Sequence, residues 1–277
     1  MKRIFIAIAV LVISLGAWAF WLEPSSIRVS EYHVQIPKWP AACSGLRVAV
    51  LADLHVGSPF NGVDKLRMIV EITQQAMPDL ILLPGDFVIH GVVGGNFEAP
   101  ETAAKLLGNL HASMGVYAVL GNHDWWLDPT RVRSALEAES ITVLEDRSAR
   151  IIDGECAFSL VGVSDYWEGP HDVQKAIASV PKNETSLLFT HNPDLFPDVP
   201  DHVTLTVASH THGGQVYIPG IGRPMVPSKY GERFAIGHII ESGRHLFVSS
   251  GIGTSILPIR FLVPPEITIL VLENGAR

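Results

Sequence analysis

Asp53-Leu54-His55, Gly85-Asp86, Gly121-Asn122-His123-Asp124, Thr190-His191-Asn192 and His210-Thr211-His212-Gly213-Gly214-Gln215 follow one another in that order along the chain. Asp53, His55, Asp86, Asn122, His191, His210 and His212 in these stretches offer two carboxylates, one amide oxygen and four imidazoles, with no thiolate among them. That mixture suits two divalent first-row metals, because calcium asks for oxygen ligands and a structural zinc usually for thiolates. Two such ions about 3.5–4 Å apart can clamp a phosphate and generate hydroxide near neutral pH. The chemistry within reach of these residues is hydrolysis of a phosphate ester.

Such a set works only if strands deliver it to one place. Short apolar runs at 47–52, 80–83, 116–120, 186–190 and 203–208 read as buried strands, and each runs into one of the five stretches. In open α/β sheets ligands gather beyond the carboxyl ends of strands, so residues far apart in sequence meet there. Helices are expected over 63–75, over 103–111 and, opened by Pro129, to about 138. Strands at 151–152 and 158–163, a hairpin of 236–241 with 245–249 and a last strand at 267–272 complete the domain, without repeats or low-complexity tracts. Asp53 and His55, like His210 and His212, stand two apart, so an extended backbone would point both side chains one way. Gly85 and Gly213-Gly214 leave room for close backbone approach.

The chain has 277 residues and 47% of them are hydrophobic, enough for one large α/β domain with a sizeable core. A net charge of −8 and a pI near 5.8 speak against nucleic acid as a partner, which needs clustered cations. An anionic substrate is still compatible, since bound metals reverse the local field. Residues 4–22, after Lys2-Arg3, run for 19 positions without a charge, and Ser14 is their one strongly polar side chain. That length spans a bilayer as a helix. Trp18, Phe20 and Trp21 stand at the end where aromatics favour the interface, and Glu23-Pro24-Ser25-Ser26 ends the run.

Ala17-Trp18-Ala19 is a small-x-small sequence that a signal peptidase could cut, but the run exceeds the roughly 7–15 apolar residues of a signal peptide. An uncleaved signal anchor over 1–22 is the reading adopted, with export after cleavage as the alternative. Lys2 and Arg3 favour a cytoplasmic start and an extracytoplasmic domain, against Arg28 and Lys38 on the other flank; a cytoplasmic-facing domain is the converse arrangement. Residues 23–45 read as a juxtamembrane linker with an edge strand through Val29, Tyr32, Val34 and Ile36, and 46–277 as one domain. Cys43 and Cys156, too few for a disulfide framework, read as small buried hydrophobes, although one bond is open to them in an oxidising compartment.

The ordered set, with Gly-Asn-His-Asp intact, resembles the calcineurin-like metallophosphoesterase superfamily over about residues 45–272. Its tail, with Pro227-Ser228-Lys229-Tyr230-Gly231 and Pro264-Pro265-Glu266-Ile267, is similar to a membrane-associated bacterial branch that includes YaeI- and YkuE-type phosphodiesterases and relatives that cleave the pyrophosphate of a lipid A precursor. The resemblance implies a four-layer α/β/β/α sandwich behind an N-terminal transmembrane helix in a bacterial cytoplasmic membrane. It implies two divalent ions, manganese, iron or zinc, one held by Asp53, His55, Asp86 and His212 and the other by Asp86 as bridge with Asn122, His191 and His210. His123 would protonate the leaving oxygen or stabilise phosphoryl charge, and Asp124 would orient His123. Ser209 departs from the family's usual Gly before the His-x-His pair, and a slight backbone adjustment is expected there.

The implied activity is that of a phosphodiesterase on a membrane-associated or lipid-linked phosphate, with metal-generated hydroxide attacking phosphorus. A phosphomonoesterase on soluble or protein substrates would use the same centre, and a noncatalytic module on this scaffold would have lost ligands that this chain retains. Trp125 and Trp126, with Trp167, could wall a lipid or nucleobase portion of substrate or simply pack the core. Arg223, Lys229 and Arg233 could hold a second phosphate or lie in a solvated face. His33, His90, His111, His171, His202, His238 and His245 read as structural or surface residues, and Asp64, Asp79, Asp128, Asp165 and Asp172 as caps, turns or surface.

Overall fold

Continuous apolar runs become strands covered on both faces, and here Leu80–Leu83 and Leu205–Ala208 are buried along their whole length. The computed structural model describes residues 1–181 and 183–275, so the expected domain end at 276–277 lies outside the described residues. Among the described residues the strands are β1 (Arg28–Pro37), β2 (Leu46–Val50), β3 (Leu80–Leu83), β4 (Val116–Ala118), β5 (Thr142–Val143), β6 (Arg147–Asp153), β7 (Cys156–Val163), β8 (Ser186–Thr190), β9 (Leu205–Ala208), β10 (Gly237–Glu241), β11 (Arg244–Val248) and β12 (Glu266–Gly275). They form two six-stranded sheets, ordered β1-β12-β2-β3-β4-β5 and β10-β11-β9-β8-β7-β6. The centre of each is parallel: β2, β3, β4 and β5 in the first, and β7, β8, β9 and β11 in the second.

The sheets face each other across a shared core. Val48, Val50, Leu80 and Leu82 of the first meet Phe158, Leu187, Phe189 and Val207 of the second. The first sheet's outer face carries the helices Val63–Gln75, Pro100–Leu107 and Pro129–Ala138, which bury Leu66, Ile69, Leu107 and Leu136 against Ala49, Ile81 and Leu83. The short helix Val173–Ile177 and the 3-10 segment Pro193–Asp198 cover the second. The result is the four-layer α/β/β/α order expected. The helix placed at 103–111 starts earlier, because Pro100 takes its first turn, and stops before Gly108.

The edge strand expected through Val29, Tyr32, Val34 and Ile36 is β1, which stands at the edge of the first sheet and, longer than expected, pairs over ten residues in parallel with β12 from Arg28↔Glu266 to Pro37↔Gly275. The reading of the cysteines as small buried hydrophobes needs correction. Cys43 and Cys156 are bonded to each other, with their Cα atoms 4.8 Å apart. The bridge staples the turn before β2 to the start of β7, and so one sheet to the other.

The N-terminal helix Lys2–Ala17 buries no residue against the domain and continues through a π turn, Trp18–Leu22, into Glu23–Ser25. The whole span, Lys2–Ser25, is long and apolar enough to cross a membrane. Its last turns are fastened to the domain. The Ala19 carbonyl accepts from the Arg260 N–H at 3.0 Å. The buried Glu23 carboxylate accepts from the N–H groups of Leu262 (2.9 Å) and Val263 (2.6 Å) and from the Trp18 indole. Lys65 donates to the carbonyls of Pro24, Ser25 and Ser26, placing a cation at the helix C-terminus.

The disulfide closes a sequence separation of 113 residues. Replacing both cysteines by Ala should lower unfolding free energy by about 2–4 kcal/mol. Urea denaturation of the double variant against the oxidised parent measures it, and equal midpoints would show that the bond contributes nothing.

Candidate metal centre

Five strand ends converge where the two sheets meet. Asp53 and His55 follow β2, Asp86 follows β3, Asn122 follows β4, His191 follows β8, and His210 and His212 follow β9. All seven side chains are buried, none more than 4% exposed. The first sheet thus supplies three oxygen donors and one imidazole, and the second sheet three imidazoles. The expectation of an extended backbone at Asp53-Leu54-His55 and His210-Thr211-His212 is not met. Asp53 (φ 49°), His55 (41°), Asp86 (58°), His210 (70°) and His212 (51°) all take the left-handed conformation. Non-glycine residues there carry strain of about 1–3 kcal/mol each, and such strain clusters at functional sites.

Three groups of potential ligands lie with their donor atoms within 4.8 Å of one another: Asp53, His55 and His212; His55, Asp86 and His123; and Asp86, His191 and His210. Asp86 links them. Its Oδ2 is 3.4 Å from His55 Nε2 and 3.4 Å from His191 Nε2, while its Oδ1 accepts the His123 N–H at 2.9 Å. Elsewhere ring nitrogens and an amide oxygen crowd against one another. His55 Nδ1 donates to the Val88 carbonyl, so its Nε2, 3.1 Å from His212 Nε2, has no proton to offer in the neutral ring. His191 Nδ1 donates to the Pro84 carbonyl at 2.8 Å, leaving Nε2 facing Asn122 Oδ1 at 3.1 Å and His210 Nδ1 at 3.0 Å. Asp53 Oδ2 is buried without a hydrogen-bond partner. Buried polar atoms are otherwise almost always paired, so this donor set fits divalent cations between its members.

The electrostatics agree. Burial pushes the Asp53 carboxyl up to about 7, with the Asp86 charge adding to it and His191 opposing. Burial lowers His55 to about 3 and moves His210 and His212 well below the ordinary imidazole value. Asp86 goes the other way, because His191, His123 and His55 overcome its burial, and His191 is raised by Asp86, Asp165 and Asp53 against its own burial. A site that must protonate one imidazole to hold its carboxylates is short of positive charge.

The backbone leaves space for these groups. A β-carbon at Gly121 would collide with the Asp86 carboxylate, and one at Gly251 with that of Asp53. Asn122-His123-Asp124 is the first turn of a helix, Asn122–Leu127, rather than a loop. Asp124 makes no hydrogen bond to the His123 ring, whose Nδ1 is unpartnered. Its oxygens accept the backbone N–H groups of Asp86 (2.8 Å), Phe87 (3.0 Å), Val88 (3.3 Å) and Gly121 (2.9 Å), lashing the Asp86 loop to the helix N-terminus. His123 instead packs its ring between His55 and Trp126, at centroid distances of 4.5 and 4.8 Å. Ser209 turns its hydroxyl to the Pro84 carbonyl (3.1 Å) and His191 Nδ1 (3.2 Å), beside the bond that orients His191.

The residues expected to bind substrate divide. Trp126 is half-exposed on His123, and Trp167 sets its edge against the His210 ring at 4.3 Å, so both flank the centre. Trp125 packs into the helix-side core. The three cations are engaged elsewhere: Arg223 donates to the Gly213 carbonyl, Lys229 to the Tyr166 hydroxyl, and Arg233 forks onto Glu241. Asp165 is no surface residue; it is buried near His191, with one oxygen unpaired. Arg260 was invisible as a functional residue. Fully buried, it donates to the carbonyls of Ser250, Gly251, Gly253 and Val263 and so shapes the glycine cradle around Asp53 and His55.

Asp86, Asp165 and Asp53 raise the pKa of His191, and metal ligands bind as neutral imidazole and carboxylate, so filling the centre is expected to release a proton from His191. Calorimetric titration of manganese near pH 7.5 in two buffers of different ionisation enthalpy should show about one proton released per protein molecule on filling the centre. Heats independent of the buffer would contradict this charge balance.

The calcineurin-like phosphoesterase profile matches residues 46–216, the stretch that carries all seven buried donors. The chain is 27% identical over 281 residues to the metallophosphoesterase YkuE of Bacillus subtilis, covering 99% of this chain and 96% of that protein. It is 30% identical over 257 residues to the phosphodiesterase YaeI of Escherichia coli, covering 91% and 90%. To the UDP-2,3-diacylglucosamine pyrophosphatase LpxG of Chlamydia trachomatis it is 25% identical over 312 residues, covering 91% of each. With its donors at the strand ends of two facing sheets and its sequence alike from end to end, the chain belongs to the calcineurin-like phosphoesterase family, metal-dependent hydrolases of phosphate esters.

Proposed function

We propose that the chain is a membrane-anchored phosphodiesterase acting on a lipid-linked phosphate, with Asp86 bridging two divalent ions. The observation that carries the proposal is the position of Asp86 Oδ2, equidistant from one imidazole of each half of the centre. Asp53, His55 and His212 would complete one ion's ligands, and Asn122, His191 and His210 the other's. Two divalent ions held by these residues would supply Lewis acidity toward a phosphate and toward water. The chain's own contribution is to hold the ligands. Asp124 fixes the Asp86 loop, Arg260 fixes the carbonyls behind Asp53, and Ser209 with Pro84 fixes the His191 tautomer.

His123 stands at the edge of this set with Nδ1 unpartnered. Burial lowers its pKa although Asp86 opposes the shift; from that position its ring would protonate the leaving oxygen or donate a hydrogen bond to a phosphoryl oxygen. Asp124, given over to backbone N–H groups, is a positioning residue. Manganese, iron and zinc all suit a ligand set of carboxylate, amide and imidazole.

The lipid-linked substrate is supported by the apolar helix fastened beside the domain and by the relative named as a pyrophosphatase of a diacylated sugar nucleotide. Anchorage without cleavage is supported by the grip on Ala19 and Glu23, since a cut after Ala19 would remove the Trp18 and Ala19 contacts. A domain outside the cytoplasm is supported by the bonded Cys43 and Cys156, which suit an oxidising compartment, and by Lys2 and Arg3 ahead of the helix.

Hydrolysis of bis-p-nitrophenyl phosphate and p-nitrophenyl phosphate by stripped protein reloaded with manganese, iron or zinc tests the activity. The diester should be preferred. Asp86→Ala should lose both metal and turnover, whereas His123→Ala should keep its metal and lose roughly 10²–10⁴-fold in kcat. A fully active His123→Ala would refute its assigned role, and preference for the monoester would refute the diesterase reading.

A further inference from the structure

On the His212 side of the centre a cavity of about 390 Å³ opens between two segments, 224–227 and 255–259. Its size lies within the range of small-molecule pockets. Pro224, Met225, Pro227, Ile256, Leu257 and Ile259 give it an apolar lining, and Thr211 and His212 also line it, so it borders the metal centre at His212. Neither Trp126 nor Trp167 lines it.

Two independent features mark this groove. The first is strain kept at its rim. Ile256 is 62% exposed and has φ 62°, a left-handed backbone in which a β-branched residue is an outlier. Solvation would favour Asn or Gly there, so an apolar side chain is retained at a cost to the fold. Met225 (69% exposed), Leu257 (46%) and Leu262 (49%) extend the apolar rim.

The second is the wall's attachment. The segment that carries Ile256 and Leu257 runs on into Arg260, Leu262 and Val263, whose N–H groups are held by Ala19 and Glu23 at the foot of the membrane-spanning helix. Val263 in turn lies against Gly213, next to His212, where a β-carbon on the glycine would stand 2.9 Å from its methyl. One continuous piece of structure joins the helix end, the groove wall and the metal ligand. An apolar groove whose wall runs on to the helix end, and whose lining includes a metal-ligand candidate, joins the two surroundings that a phospholipid requires.

We infer that this groove holds one alkyl chain of the substrate's own lipid, with the phosphate seated at His212; the inference rests on the phosphodiesterase reading above and names the subsite that reading lacks. The groove therefore sets preference for chain length, and the loop 255–263 keeps it at the depth of the bilayer surface.

The test compares octyl p-nitrophenyl phosphate with ethyl p-nitrophenyl phosphate, two diesters with the same leaving group. It uses the full chain in lipid nanodiscs, as parent, Ile256→Asn and Met225→Asn. Asn tolerates the left-handed backbone at 256, so that variant should fold at least as well as the parent. The parent should favour the octyl ester by roughly tenfold or more in kcat/KM. Both variants should bring the ratio toward one while cleaving the ethyl ester within about twofold of the parent, since neither residue is a ligand. A ratio near one in the parent overturns the inference, as does an octyl preference that both variants retain. If neither ester is cleaved, the hydrolase reading fails by itself; calorimetric titration with octylphosphonate against ethylphosphonate then reads the groove without turnover, and equal affinities overturn it.

Discussion

A carboxylate removed from water must be repaid by charge or hydrogen bonds, and Asp86 is removed almost completely. Its Oδ1 takes one backbone N–H, and its Oδ2 points between two imidazole nitrogens that belong to different sheets. Around it Asp53 is buried with an oxygen unpaired, and His55 and His212 set nitrogen against nitrogen. Desolvating so many lone pairs without partners would destabilise a domain by several kcal/mol. The surrounding chain is arranged to accept divalent cations in that space, which turns the same arrangement into a favourable one.

The rest of the architecture follows from holding Asp86 there. Two parallel sheet centres pack face to face so that strand ends from both supply donors, which a single sheet edge would place in one row. Glycines at 121 and 251 let backbone pass where a side chain would strike a carboxylate. Asp124 and Arg260 act as opposite anchors, the first gathering N–H groups of the Asp86 loop and the second gathering carbonyls behind Asp53. The disulfide binds the two sheets at the far end of the same core.

Much of this could be read from the residues alone, for a physical reason. Strands and their ligand-bearing ends are local in sequence, so apolar runs at 80–83 and 186–190 announced both the element and the position of Asp86 and His191. What sequence could not carry were groups whose role depends on tertiary neighbours. Asp165 resembles any turn aspartate until the fold buries it, Arg260 any surface cation until four carbonyls close on it, and Glu23 any helix-ending residue until the 262–263 backbone meets it. Asp124 was legible as important and misread as to partner, because its helix turn aims it at backbone and away from the His123 ring. The left-handed backbone at Asp53, His55, His210 and His212 was equally hidden, since no residue there advertises it as a glycine would.

The central claim is that Asp86 joins two metal ions, and anomalous diffraction from crystals grown with manganese addresses it most directly. The account predicts two peaks about 3.5–4 Å apart, one on the Asp53–His55–His212 side of Asp86 and one on the Asn122–His191–His210 side. A single peak, or two that do not share Asp86, would contradict it.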